Sequence, residues 1–120
     1  MKVLIVDDSQ FQRLVVKSIV SNYSEELEVI ELTDAQKALD LLKEGGISLV
    51  FSDINMEPFT GIELVEKSKE ASVETTFALV TSHLVDSMKE KAASLGVEYY
   101  ITKPITQEKI EAVLKEVLGA

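Results

Sequence analysis

Two adjacent carboxylates, Asp7 and Asp8, close the apolar run KVLIV (2–6). A third acid, Asp53, comes just after ISLVF (47–51). Thr81 and Ser82 follow TFALV (76–80), and Lys103 with Pro104 comes just after EYYI (98–101). Acids side by side repel, and an unpaired buried charge is costly or shifts its pKa. A divalent cation removes the conflict. Three carboxylates and a few waters suit Mg²⁺, which takes oxygen ligands and keeps part of its hydration shell. An ammonium and a hydroxyl beside that cation suit an anion held against it, and phosphate fits best. This chemistry requires all of these residues to meet at one place.

The elements between them supply the reason they would meet. A fifth apolar, β-branched run, EVIEL (28–32), lies between the first two named above. Segments with helical spacing separate the runs: Leu14, Val15, Ile19 and Val20 with Val16 in addition; Ala35, Ala38, Leu39 and Leu42; and Ile110, Val113, Leu114, Val117 and Leu118. Residues 61–70 and 86–95 carry weaker helical patterns. Ser9–Gln12, Thr33–Gln36 and Thr60–Glu63 each fit a capping box, and Gly45, Gly96 and Gly119 stand where helices should stop. Strand–helix alternation of this kind predicts an α/β fold: a single doubly wound five-stranded parallel sheet with helices on both faces. Near-continuous apolar character in VLIV and LVF predicts strands buried on both sides. In such sheets ligands bind beyond the carboxyl ends of the strands, where all the residues named above would lie.

The totals agree and exclude other classes. The chain has 120 residues, read here as one domain (1–120), with no repeat, linker or low-complexity segment. It has no cysteine, which removes a disulfide framework, a thiol nucleophile and a thiolate zinc site and is compatible with a cytoplasmic location. No apolar run approaches the ~20 residues that span a bilayer, and no targeting segment is expected. The formal net charge of −9 disfavours direct binding to nucleic acid.

Each residue alone has an ordinary explanation. An acid before a helix caps it, an acid in a strand–helix loop is common, and a lone lysine is usually solvated. Thr81 could simply end a strand. Tyr99 and Tyr100 suit half-buried strand positions. Met56 suits loop packing, and His83, the only histidine, suits a solvated loop. Together these explanations would have to coincide on one rim.

As a set, the residues resemble a response-regulator receiver domain of the single-domain, chemotaxis type. The resemblance runs from Val3 to Leu118 and rests on Asp7-Asp8, Asp53 with Asn55 and Met56 behind it, Gly61, Thr81 with a small residue after it, Tyr100, and Lys103-Pro104. It implies strand order 2-1-3-4-5. It implies that Asp53 is the phosphoacceptor, that Asp8, Asp53 and the Asn55 backbone carbonyl ligate Mg²⁺, and that Asp7 acts through water. Lys103 would pair with the phosphoryl oxygens across a cis Lys103-Pro104 bond. Thr81 and Tyr100 would form the switch, and Asn55 and His83 would flank the water that ends the signal. The implied partners are a sensor histidine kinase or phosphotransfer protein and a downstream output protein, with the chain a monomer or weak homodimer. No effector domain is expected after the last helix.

Two departures stand out. The family commonly has proline four residues after the phosphoacceptor, whereas here Glu57 holds that position and proline follows as Pro58. Ser82 replaces a common alanine. Two rival functions remain at this level. One is a Mg²⁺-dependent aspartyl-phosphate phosphohydrolase, which would need an acid where Asn55 stands. The other is a receiver-like interaction module that is never phosphorylated.

Overall fold

The computed structural model describes residues 1–119. Ten elements alternate along the chain: β1 (Lys2–Val6), α1 (Gln10–Tyr23), β2 (Glu28–Leu32), α2 (Ala35–Lys43), β3 (Ile47–Asp53), α3 (Gly61–Glu70), β4 (Thr76–Thr81), α4 (Asp86–Ser94), β5 (Tyr99–Thr102) and α5 (Gln107–Leu118). The strands form one sheet, ordered β2-β1-β3-β4-β5, and every pairing is parallel. This is the expected doubly wound order.

The apolar runs are continuous because alternate residues serve opposite layers. Val3 and Ile5 of β1 join Leu49 and Phe51 of β3 and Ala78 and Val80 of β4 in a core roofed by Val16 and Val20 of α1 and by Ile110, Val113 and Leu114 of α5. Leu4 and Val6 join Val50 and Leu79 in the opposite core, under Ala35, Ala38, Leu39 and Leu42 of α2, Leu64 and Val65 of α3 and Ala92 of α4. Leu4, Leu79 and Leu114 are fully buried, each contributing about 1.5–3 kcal/mol relative to exposure.

Three local expectations need correction. On α1 only Val16 and Val20 are buried; Val15 and Ile19 are half-buried, and Leu14 is 51% exposed. The stripe of α1 on the sheet is thus narrower than its run of apolar residues. At α2 the cap is Asp34, not Thr33: its carboxylate accepts from the Lys37 N–H at 2.8 Å, and a charged acceptor is favoured at the positive end of a helix. At α1, Ser9 accepts from the Gln12 N–H, but the reciprocal half of the box does not close. The Ser9 N–H already donates to Asp7 Oδ1 at 2.8 Å, and Gln12 Oε1 is buried without a partner. Only Thr60–Glu63 makes both halves.

The stops are as expected: Gly45, Gly96 and Gly119 all have positive φ, and Gly119 caps α5 at φ 70° by donating to the Lys115 carbonyl. Strand β3 runs two residues beyond ISLVF, so Asp53 is its last residue, just as Thr81 is the last of β4. Lys103-Pro104 is cis, as the resemblance implies; Glu57-Pro58 is cis as well, which the sequence did not suggest. Among the described residues no helix is long and apolar enough to cross a membrane.

Candidate functional site

Parallel strands all point the same way, so the ends of β1, β3, β4 and β5 deliver Asp7, Asp8, Asp53, Thr81 and Lys103 to one edge of the sheet. Asp7, Asp8 and Asp53 each offer an oxygen, and these three atoms lie within 4.8 Å of one another. Asp7 and Asp53 are buried, whereas Asp8 is exposed at the mouth. Burial is the largest influence on the Asp7 carboxyl and raises its pKa; the Ser9 N–H opposes this, the Asp53 charge adds to it, and Lys103 partly offsets it. Lys103 Nζ meets Asp53 Oδ2 at 3.2 Å, and the Asn55 N–H donates to Asp53 Oδ1 at 3.1 Å. The donor set is all oxygen on short side chains, which fits a small, hard divalent cation.

The floor beneath Asp53 depends on one glycine. The Gly61 N–H donates to the Ile54 carbonyl at 2.8 Å, and a Cβ at Gly61 would stand 2.4 Å from the Asp53 backbone carbonyl oxygen. A side chain there would push the end of β3, and Asp53 with it, away. Beside the acids, Asp8, Asn55, Met56, Glu57 and Thr60 line a recess of about 330 Å³. The Asn55 and Glu57 side chains are exposed, and Met56 is buried with its sulfur 3.8 Å from the Ser52 hydroxyl, the packing role expected for it.

Thr81 is buried, and its hydroxyl faces its own loop: it accepts from the His83 N–H at 3.2 Å and donates to the His83 carbonyl at 3.4 Å. The His83 side chain is exposed. In the β4–β5 register Leu79 lies opposite Tyr100 and Thr81 opposite Thr102, so Thr81 and Tyr100 project to the same face. Tyr100 is half-buried; its hydroxyl donates to the Val97 carbonyl at 3.1 Å, and the Lys89 ammonium lies 5.9 Å from its ring centroid.

Sequence reasoning missed two residues. Arg13 Nη1 donates to the Asp7 backbone carbonyl at 2.7 Å, and Arg13 Nε lies 3.6 Å from Glu31 Oε1. The signal was present: a cation early in α1, where the helix dipole disfavours one, and an acid inside the apolar run EVIEL.

A doubly wound sheet whose switch-point rim carries three acids, a buried threonine and a lysine before a cis proline defines a signalling receiver. Residues 3–115 match the family described as the response regulator receiver domain, and the chain belongs to it. It is 31% identical over 122 residues to a chemotaxis protein CheY homolog of Campylobacter jejuni, covering 99% of this chain and 93% of that protein. It is 32% identical over 120 residues to chemotaxis protein CheY of Halobacterium salinarum, covering 99% and 98%. Among solved structures, a CheY-like receiver domain protein of Methanospirillum hungatei superposes with a TM-score of 0.88 at 25% identity, covering 98% of this chain and 93% of that one. Chemotaxis response regulator CheY4 of Vibrio cholerae gives 0.84 at 26% identity, covering 97% of each chain.

Proposed function

We propose that residues 1–120 act as one phosphoacceptor unit of a two-component system in the cytoplasm. In this reading a phosphohistidine on a sensor histidine kinase or phosphotransfer protein donates to Asp53. An Asp53 carboxylate oxygen attacks phosphorus, the P–N bond breaks, and imidazole departs with the bonding pair. The product is an aspartyl phosphate. Asp8, Asp53 and the Asn55 backbone carbonyl would hold Mg²⁺, with Asp7 acting through water; the cation would offset charge on the transferring oxygens. Lys103 would turn from the Asp53 carboxylate to the phosphoryl oxygens. The Thr81 hydroxyl would leave His83 for the phosphoryl group, and Tyr100, on the same face, would repack and alter a surface read by an output protein. The chain catalyses only its own phosphorylation and dephosphorylation, and acts as a monomer or weak homodimer. Asn55 and His83 would set the phosphoryl lifetime.

One observation carries this reading: Asp53 is the acid that meets Lys103 directly while lying within 4.8 Å of Asp7 and Asp8. Acetyl phosphate with Mg²⁺ is the test. Intact mass should gain one phosphoryl group, labile to hydroxylamine as an acyl phosphate is. Undiminished labelling of Asp53→Ala overturns the assignment.

A further inference from the structure

We infer that Arg13 is a positioning residue of the cation site, acting on the main chain between the two adjacent acids and not on their carboxylates. The inference rests on the Mg²⁺ reading above. Three contacts define it. Arg13 Nη1 grips the Asp7 carbonyl at 2.7 Å. Arg13 Nε lies 3.6 Å from Glu31 Oε1, and Lys17 Nζ lies 3.1 Å from Glu31 Oε2. The guanidinium is largely enclosed, its side chain 15% exposed, so its position is fixed from two sides.

The Asp7–Asp8 peptide is the hinge on which the site depends. A trans peptide is a rigid plane, and its C=O and N–H point in opposite directions. Fixing the Asp7 carbonyl therefore fixes the direction in which the chain leaves toward Asp8. The N–H side of Asp7 is held as well, donating to the Leu32 carbonyl at 3.2 Å. Both anchors come from β2: Leu32 directly, and Glu31 through the Arg13 fork. Strand β2 itself offers no side chain to the cation, yet it orients the turn that does.

The turn needs such an anchor. Asp7 and Asp8 are adjacent like charges facing Asp53, and mutual repulsion favours any rotation of their peptide that separates them. Arg13 opposes that rotation by holding the Asp7 backbone carbonyl. Arginine suits the task because its planar fork reaches a carbonyl and a carboxylate at once, which a single ammonium does not match. Residues that orient metal ligands from behind commonly change metal affinity 10–100-fold when lost.

The experiment is a calorimetric Mg²⁺ titration of the whole chain at a temperature where every variant is folded, checked by far-ultraviolet circular dichroism. Arg13→Gln should weaken Mg²⁺ about tenfold or more. Arg13→Lys should fall between Gln and wild type. Glu31→Gln, which frees the guanidinium without removing it, should weaken Mg²⁺ severalfold and keeps the test alive if Arg13→Gln fails to fold. A merely structural role would lower the melting temperature while leaving the dissociation constant unchanged, and that result overturns the inference. Wild type that takes no Mg²⁺, with Arg13→Gln alike, removes the metal reading itself; wild type that binds and Arg13→Gln that binds equally well removes only the role of Arg13.

Discussion

Lys103 Nζ and Asp53 Oδ2 stand 3.2 Å apart, bridging the end of β3 to the loop after β5. The lysine side chain is 20% exposed and the aspartate 7%. The pair therefore sits at a wall of the site, screened from bulk water but not sealed from it. It places one fixed positive charge inside a cluster of three acids.

That placement gives Lys103→Met two effects of opposite sign. Without divalent cations the variant loses its counter-charge and should be less stable by about 1–2 kcal/mol, below the 3–5 typical of a fully buried pair because the lysine keeps contact with water. Its Mg²⁺ affinity should rise severalfold, since a competing cation beside Asp53 has gone. Urea unfolding and a Mg²⁺ titration read the two effects separately. Weaker Mg²⁺ binding would mean that Lys103 organises the cation site instead of opposing it.

Asp7 predicts a pH dependence. Burial and the Asp53 charge raise its carboxyl pKa in the fold above the unfolded value. Such a group favours the fold while protonated, and that advantage is lost as pH rises through the folded-state pKa. Asp7→Asn keeps an oxygen to accept from the Ser9 N–H and cannot ionise. Without divalent cations it should be more stable than wild type at neutral pH, with the gap closing in acid. With Mg²⁺ the order should narrow or reverse, because wild type gains about 2.7 kcal/mol at a hundredfold excess over its dissociation constant. Thermal melts from pH 3 to 8, with and without Mg²⁺, check this; a gap that does not vary with pH would remove the linkage.

Most of the fold was legible because a parallel sheet writes the same signal several times. Each run ending in a polar residue marked a strand end, and strand ends in this topology share a rim, so Asp7, Asp8, Asp53, Thr81 and Lys103 could be gathered from the sequence alone. The errors fell where neighbours decide. Thr33 lost the α2 cap to Asp34 by one residue, and Leu14 has the pattern of a core residue but lies outside the narrow stripe of α1 on the sheet. Arg13 and Glu31 were missed because their partnership crosses from helix to strand and ends on a backbone carbonyl, which no side-chain motif encodes.

Thr81→Ala should separate receipt of the phosphoryl group from the response. The residue is buried and, among the described residues, its hydroxyl bonds within its own loop, to the His83 N–H and carbonyl, so the variant should lose about 1 kcal/mol of stability and still be labelled at Asp53. It should lose most of the phosphorylation-dependent change in amide exchange across residues 86–118, which include Tyr100. Packed interiors move between discrete arrangements, so the loss should be large and not graded. An unaltered exchange response would locate the switch elsewhere.

The last expectation concerns how long the phosphoryl group survives. Asn55 and His83 stand two residues after Asp53 and Thr81, and both side chains are exposed at the rim. The His83 main chain is engaged on both sides by the Thr81 hydroxyl, so drawing that hydroxyl toward a phosphoryl group frees the His83 backbone and lets its ring approach. Asn55 can hold a water but cannot take its proton, whereas an imidazole nitrogen can do both. His83→Ala should therefore slow autodephosphorylation severalfold. The measurement is loss of the phosphoryl mass over time in wild type and variant, at fixed pH, Mg²⁺ and ionic strength. Equal rates for wild type and His83→Ala would leave the imidazole in solvent, away from the reacting water.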